Sequence, residues 1–196
     1  MRALIAEFMG TVFEDFRREI NGQCLCELKQ SRYDGCHVPD YSIKKEQQYY
    51  LLRYFPAYLC EYKYIYRKVI AERKLEQLDI LSIGCGAGID YLGLYLALGK
   101  TTANITYRGI DVINWNYLNN LGNKNYKIEM MNIADIEYDN PCEVNIIIFP
   151  KSLSEIKQDD FDAFIENLEN VQFASQFLYL ISSTMDSGFQ HDERRY

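Results

Sequence analysis

The chain has 196 residues, of which 48% are hydrophobic and 14% aromatic, and its 21 basic and 28 acidic side chains leave a net charge of −7. That length suffices for one domain with a sizeable core plus an extension. An acidic balance argues against nucleic-acid binding, which draws most of its affinity from a basic face, and no apolar run approaches the roughly 18 residues that a membrane span needs.

The first predicted element is a helix, because Leu4, Ile5, Phe8, Met9, Val12, Phe13, Phe16 and Ile20 recur at helical spacing and Asn21-Gly22 forms a stop. Glu7, Glu14, Asp15, Arg17, Arg18 and Glu19 interrupt the apolar residues, so the segment is not a secretion signal. Its mixed polar face suits packing on the protein's own body rather than on a membrane. Six cysteines without a signal peptide imply free thiols in a reducing, cytoplasmic setting. Cys24, Cys26, Cys36 and His37 are metal-ligand types, but their spacing is not that of a zinc knuckle. With Tyr33-Asp34-Gly35 and Pro39-Asp40 they read as a turn-rich connection, and no metal is expected.

A second helical region runs from Ser42 or Ile43 to about Leu75, with a bend expected at Pro56. Tyr50, Tyr54, Tyr58, Tyr62 and Tyr66 fall four apart and form a stripe, completed by Leu51, Leu52, Phe55 and Leu59. Packing explains such a stripe. The functional alternative is a roof over a ligand crevice, with Arg53, Tyr54 or Tyr58 reaching inward. Residues 1–75 therefore form a helical extension or lid, and 76–196 a separate α/β unit.

That unit opens with Leu78-Asp79-Ile80-Leu81-Ser82-Ile83, an apolar strand, followed by Gly84-Cys85-Gly86-Ala87-Gly88 and a helix from Ile89. Glycines at alternate positions permit a tight bend and close backbone approach to a ligand, and the helix start offers free N–H groups. A dinucleotide turn would read G-x-G-x-x-G, but the third glycine comes one place early and Ile89 fills the expected slot. The segment resembles motif I of the class I S-adenosylmethionine-dependent methyltransferases, G-x-G-x-G, and the likeness continues over roughly Leu78 to Thr184. The resemblance implies a Rossmann-like, doubly wound, mostly parallel sheet. It also implies S-adenosylmethionine as cofactor and S-adenosylhomocysteine as product, held near Gly84, Cys85, Gly86 and Gly88. Where the family usually carries an acid at the end of this strand, the chain has Ser82, and Asp90 is the expected substitute.

The second strand, Ile105 to Ile110, ends in Asp111 about 20 residues past the glycines, the separation at which a carboxylate accepts both hydroxyls of a ribose. The competing role is a cap on a helix starting near Asn114. A third element, from Tyr126 to Ile136, carries Asp135, which the resemblance places on the adenine amino group, with Val112 and Ile136 against the ring. The fourth strand, Val144 to Phe149, is the most apolar and therefore central, and its carboxyl end, with Phe149, borders the site. The loop after it, Pro150-Lys151-Ser152-Leu153-Ser154-Glu155, lacks the Asn/Asp-Pro-Pro-aromatic pattern of the family's DNA and glutamine N-methyltransferases. Ser152 and Glu155 have capping-box spacing, and a cap is preferred over a general base for Glu155.

Asp160 to Leu168 reads as a helix and Gln176 to Thr184 as the fifth strand, leaving the carboxyl-terminal sheet edge incomplete relative to the family. A second copy, a partner protein or further sequence not present here is expected to complete it. The resemblance thus implies methyl transfer to an oxygen or nitrogen of a small molecule, with RNA or protein as second choice. A reading from another class is a non-catalytic cofactor-binding module. A nicotinamide oxidoreductase is disfavoured by Ile89 and by the lack of a Tyr-x-x-x-Lys pair after the fourth strand.

Overall fold

Among the residues described by the computed structural model, which are 2–21, 39–73, 77–99, 104–117 and 125–183, five strands make one sheet. They are Gln77–Ile83 (β1), Asn104–Asp111 (β2), Tyr126–Met130 (β3), Ile146–Pro150 (β4) and Tyr179–Ser183 (β5), all parallel, in the order β3-β2-β1-β4-β5. In register, Ile80 of β1 lies between Tyr107 of β2 and Ile146 of β4. The chain passes from β1 to one side and later returns to the other, so the carboxyl ends of β1 and β4 flank a topological switch point where open α/β sheets bind ligands.

Both faces of the sheet are covered, which is why β4 is apolar without alternation and β1 carries apolar residues on both of its faces. On one face Leu78, Ile80, Ile146 and Ile148 pack against the helices Lys44–Arg73 (α2) and Ile89–Leu98 (α3). On the other, Leu81, Ile83, Ile147 and Phe149 pack with Phe164 of the helix Gln158–Glu169 (α4). The amino-terminal helix Arg2–Ile20 (α1) lies on α2, with the Phe8 ring 5.3 Å from Phe55 and Val12 fully buried.

The tyrosine stripe is core. Tyr62 and Tyr66 are 2% and 0% exposed, and Tyr54 stacks on Tyr58 at 5.4 Å. α2 continues through Pro56, which is exposed. It approaches α3 closely enough that a Cβ on Gly93 would lie 2.6 Å from the Tyr62 Cβ and 2.9 Å from the Lys63 nitrogen, so the glycine sets the helix separation.

Strand β5 is the outer edge, and the exposed Leu178 and Leu180 lie along it. Cys24, Cys26, Cys36 and His37 lie outside the described residues. Among the described residues no helix is long and apolar enough to cross a membrane.

Candidate functional site

At the end of β1 the chain turns through Gly84, Gly86 and Gly88, whose φ angles of 65°, 55° and 74° are left-handed and suit glycine alone. The turn is tied to β2 by bonds from the Gly84 and Cys85 N–H groups to the Ile110 carbonyl, at 2.8 and 3.0 Å. The space left by the missing Cβ atoms is taken by protein. A Cβ on Gly84 would sit 2.3 Å from that of Ser152, and one on Gly86 would sit 3.3 Å from the Trp115 ring. The glycines therefore let two other loops close in around the turn.

What those loops enclose is a cavity of about 330 Å³, within the range of small-molecule sites. Gly84, Cys85, Gly86, Asp111, Val112 and Asp90 all border it. Asp111 is the central polar group. Its Oδ2 accepts from the Gly86 N–H at 2.7 Å and its Oδ1 from the Ile113 N–H at 2.9 Å, so two backbone donors aim the carboxylate. Burial pushes its acidity towards higher pH, opposed by those two N–H groups and by the Trp115 indole. No helix begins at Asn114; residues 112–117 form turns, and the carboxylate braces one of them.

Asp90 is sealed beneath the site. It is fully buried, and both oxygens accept from the Tyr107 hydroxyl at 2.9 Å. Burial raises its pKa to about 6, against the pull of the Ser82 and Tyr107 hydroxyls. It borders the cavity from this buried position, with both oxygens already engaged by the Tyr107 hydroxyl.

Four other candidates fall off the cavity wall. Gly88 ends the turn as the cap of α3, its missing Cβ directed at the Tyr126 hydroxyl. Phe149 packs on Phe161 and Phe164 at 6.2 and 6.1 Å, because strand alternation sends it to the α4 face while Pro150 reaches the cavity. Asp135 is exposed and Ile136 lies in the second core. After β3 the chain closes early into a 3-10 turn, Ile133–Asp135, capped by Asn132, whose Oδ1 accepts from the Ala134 N–H at 3.0 Å. Met131, Asn132 and Ile133 consequently line the cavity in the place expected for Asp135.

The opposite wall was visible in the sequence only as an alternative. Tyr50, Tyr54, Tyr58 and Tyr62 of α2 border the cavity together with Tyr41 and Trp115. Burial pushes Tyr58 up to about 12 and raises Tyr41, Tyr50 and Tyr62 well above the usual phenol range, so these phenols stay protonated at neutral pH and act as donors, not bases. Arg53 is exposed, bonded to the Tyr49 hydroxyl at 2.8 Å, and is not part of this wall.

The loop after β4 differs from its expected form. Ser152 does not make the capping box; its hydroxyl donates to the Ile83 carbonyl and so clamps the loop to β1. Glu155 is thereby left at the cavity edge, where its charge acts on Tyr41, Tyr50 and Tyr58. Lys151 has a φ of 64° and places its Nζ 2.7 Å from Glu61 Oε1 and 5.3 Å from the centre of the Tyr58 ring. Ser183 of β5 donates to the same Glu61 oxygen, so α2, β4 and β5 meet at one ion pair beside the cavity.

No protein-family model matches the chain, and no curated protein sequence matches it. Among solved structures, it is similar to a Methanococcus maripaludis protein provisionally described as an S-adenosyl-L-methionine-dependent methyltransferase. The identity is 17% and the TM-score 0.50, over 75% of this chain and 67% of that one. It is also similar to the plantazolicin methyltransferase BpumL, solved in complex with SAH, at 15% identity and TM-score 0.49 over 82% of this chain and 58% of that one. The first likeness shows the fold alone: the chain has a Rossmann-like α/β architecture, the fold of that methyltransferase.

Proposed function

We propose that the chain binds S-adenosylmethionine in this cavity and transfers its methyl group to an oxygen or nitrogen of a small molecule. The observation that carries the reading is Asp111: a carboxylate aimed by two backbone N–H groups into a cavity at the switch point of this fold. Each of its oxygens has acceptor capacity beyond the backbone bond it makes, which suits a vicinal diol. The residues present thus fit an adenosyl group, with Gly84, Cys85 and Gly86 along one side, Val112 and Ile113 over the ring, and Met131 and Asn132 at its edge. When bound, the cofactor supplies a methyl group activated by a sulfonium charge.

What remains for the protein is alignment, exclusion of water and, for some acceptors, removal of a proton. The tyrosine wall excludes water while offering neutral donors. Lys151 borders the acceptor side as a cation held by Glu61, and Glu155 is the carboxylate positioned to take a proton. Cys85 contributes no nucleophile, since burial keeps its thiol protonated.

The second reading, a cofactor-binding module without catalysis, draws on the buried Asp90 and on Ser82, which leave the methionine end without an exposed acid. Calorimetry with S-adenosylhomocysteine and NAD, followed by incubation with methyl-labelled cofactor and a metabolite extract, tests both. Binding of the adenosyl ligand and transfer of label to small molecules are expected. Binding of NAD alone would overturn the proposal, and tight binding with no labelled product would leave the module.

A further inference from the structure

Gln47 is 0% exposed, an unusual place for an amide, and it spends its polar atoms on two separate segments. Its Nε2 donates to the Tyr41 carbonyl at 2.8 Å and to the Asn114 carbonyl at 3.0 Å. Its Oε1 accepts from the Asn116 backbone N–H at 2.9 Å and from Asn116 Nδ2 at 3.0 Å. Three of these four bonds grip the backbone and side chain on either side of Trp115, more than sixty positions away in the chain.

Trp115 is the piece of that loop that matters to the site. It is 5% exposed, its ring packs over Gly86, and its centroid lies 5.4 Å from those of both Tyr41 and Tyr50. Its indole N–H acts on Asp111. One ring thus touches the glycine turn, the aimed carboxylate and the tyrosine wall.

Resting on the cofactor reading above, we propose that Gln47 is a positioning residue for the cofactor: from α2 it fixes the loop that seats Trp115 against Gly86 and Asp111. The amide is the only uncharged side chain type with two donors and an acceptor in one plane, which is what two carbonyls and a facing N–H require. An apolar residue of similar length fills the volume but leaves those carbonyls and the Asn116 N–H without their partner, so the loop relaxes toward water. The amino-terminal helices then contribute to cofactor affinity through hydrogen bonds and not only by covering the site.

The test uses the full chain and its own reporter, because Trp115 is its single tryptophan. Fluorescence reads the seat of that ring, and calorimetry with S-adenosylhomocysteine reads affinity. Gln47→Met should shift the emission to longer wavelength and weaken the affinity about tenfold, as expected for unpaired buried polar groups. Gln47→Glu, which keeps the acceptor for Asn116, and Asn116→Ala, an exposed substitution that preserves the fold, should move both readouts less and in the same direction. If every folded variant keeps the wild-type emission and an affinity within twofold, the positioning role is wrong. Should the wild type bind no adenosyl ligand, the cofactor reading fails, and the emission of the variants still decides whether Gln47 holds Trp115.

Discussion

Replacing Asp111 by Asn tests the site at its centre while keeping the shape of the side chain. In the native structure Oδ2 accepts from the Gly86 N–H at 2.7 Å and Oδ1 from the Ile113 N–H at 2.9 Å. An asparagine has one acceptor oxygen, so its amide nitrogen must face one of these two N–H groups donor to donor. One backbone donor is left unpaired and one ligand hydroxyl loses its acceptor. The surviving bonds also lose their charge assistance, which roughly doubles a hydrogen bond. Together these changes remove about 2–3 kcal/mol of binding, a factor of about 30 to 150 in Kd. The stability cost is smaller, about 1 kcal/mol, because water in the cavity can reach the orphaned N–H, and it corresponds to a drop of about 2–4 °C in Tm. Calorimetric titration of S-adenosylhomocysteine into wild type and Asp111→Asn, with a thermal melt of each, measures both quantities. A folded variant whose Kd stays within twofold would show that the carboxylate only braces its loop, and the ribose assignment would fall.

Gly93→Ala would ordinarily stabilise a helix by about 0.5–1 kcal/mol, but here the new Cβ would meet Tyr62 and Lys63 of α2. A net loss of about 1–3 kcal/mol is expected in urea unfolding, and a gain would mean that the two helices part easily. Asp90, whose folded pKa of about 6 exceeds its usual value of 3.8, binds its proton more tightly when folded. It therefore makes the protein progressively less stable as pH rises from about 4 to 6, by up to about 3 kcal/mol, and has no further effect above that window. Asp90→Asn should flatten this slope in denaturant midpoints measured from pH 4 to 7; an unchanged slope would refute it. Glu155→Gln should leave the affinity for S-adenosylhomocysteine within twofold while slowing methyl transfer to a proton-bearing acceptor about 100-fold, the lower range for loss of a general base. Equal rates would return Glu155 to a purely electrostatic role beside the tyrosines.

The sheet was legible because its signals are local. The apolar runs of β1 and β4, the terminal Asp111 of β2 and the glycines at alternate positions each sit within one element, and the strands formed where those runs lie. The all-parallel order follows from the same composition, since a strand apolar on both faces must be covered on both. What that composition hides is parity. With Ile146, Ile147, Ile148 and Phe149 all apolar, no polar residue marks which face each takes, and Phe149 was placed at the site although it belongs to the α4 core. The turn after β3 was misjudged by three residues for a related reason. Asn132, Asp135 and Asn140 are all turn formers, and only the bond from the Ala134 N–H to Asn132 selects the first of them as the cap.

The remaining parts of the site are long-range and so leave little trace in any one segment. Ser152 has the spacing of a capping box, yet the Ile83 carbonyl of β1 competes for its hydroxyl and wins, while Glu155 borders the cavity. Gln47 looks like an ordinary polar position on α2, because nothing near it in sequence announces the carbonyls that it serves. The tyrosine stripe was read as packing or as a roof, and these turn out not to be alternatives. Tyr58, Tyr62 and Tyr66 are buried in the core shared with β1 and α3, and Tyr58 and Tyr62 also border the cavity together with Tyr50 and Tyr54 of the same helix. A helix anchored in that way, and seated at Gly93 with no room for slip, holds the rings that border the cavity at a fixed distance from the glycine turn. The tyrosine side of the cavity is then a wall built by the core itself, so substitutions at Tyr54 and Tyr58 should alter which molecules fit without disturbing the carboxylate at Asp111.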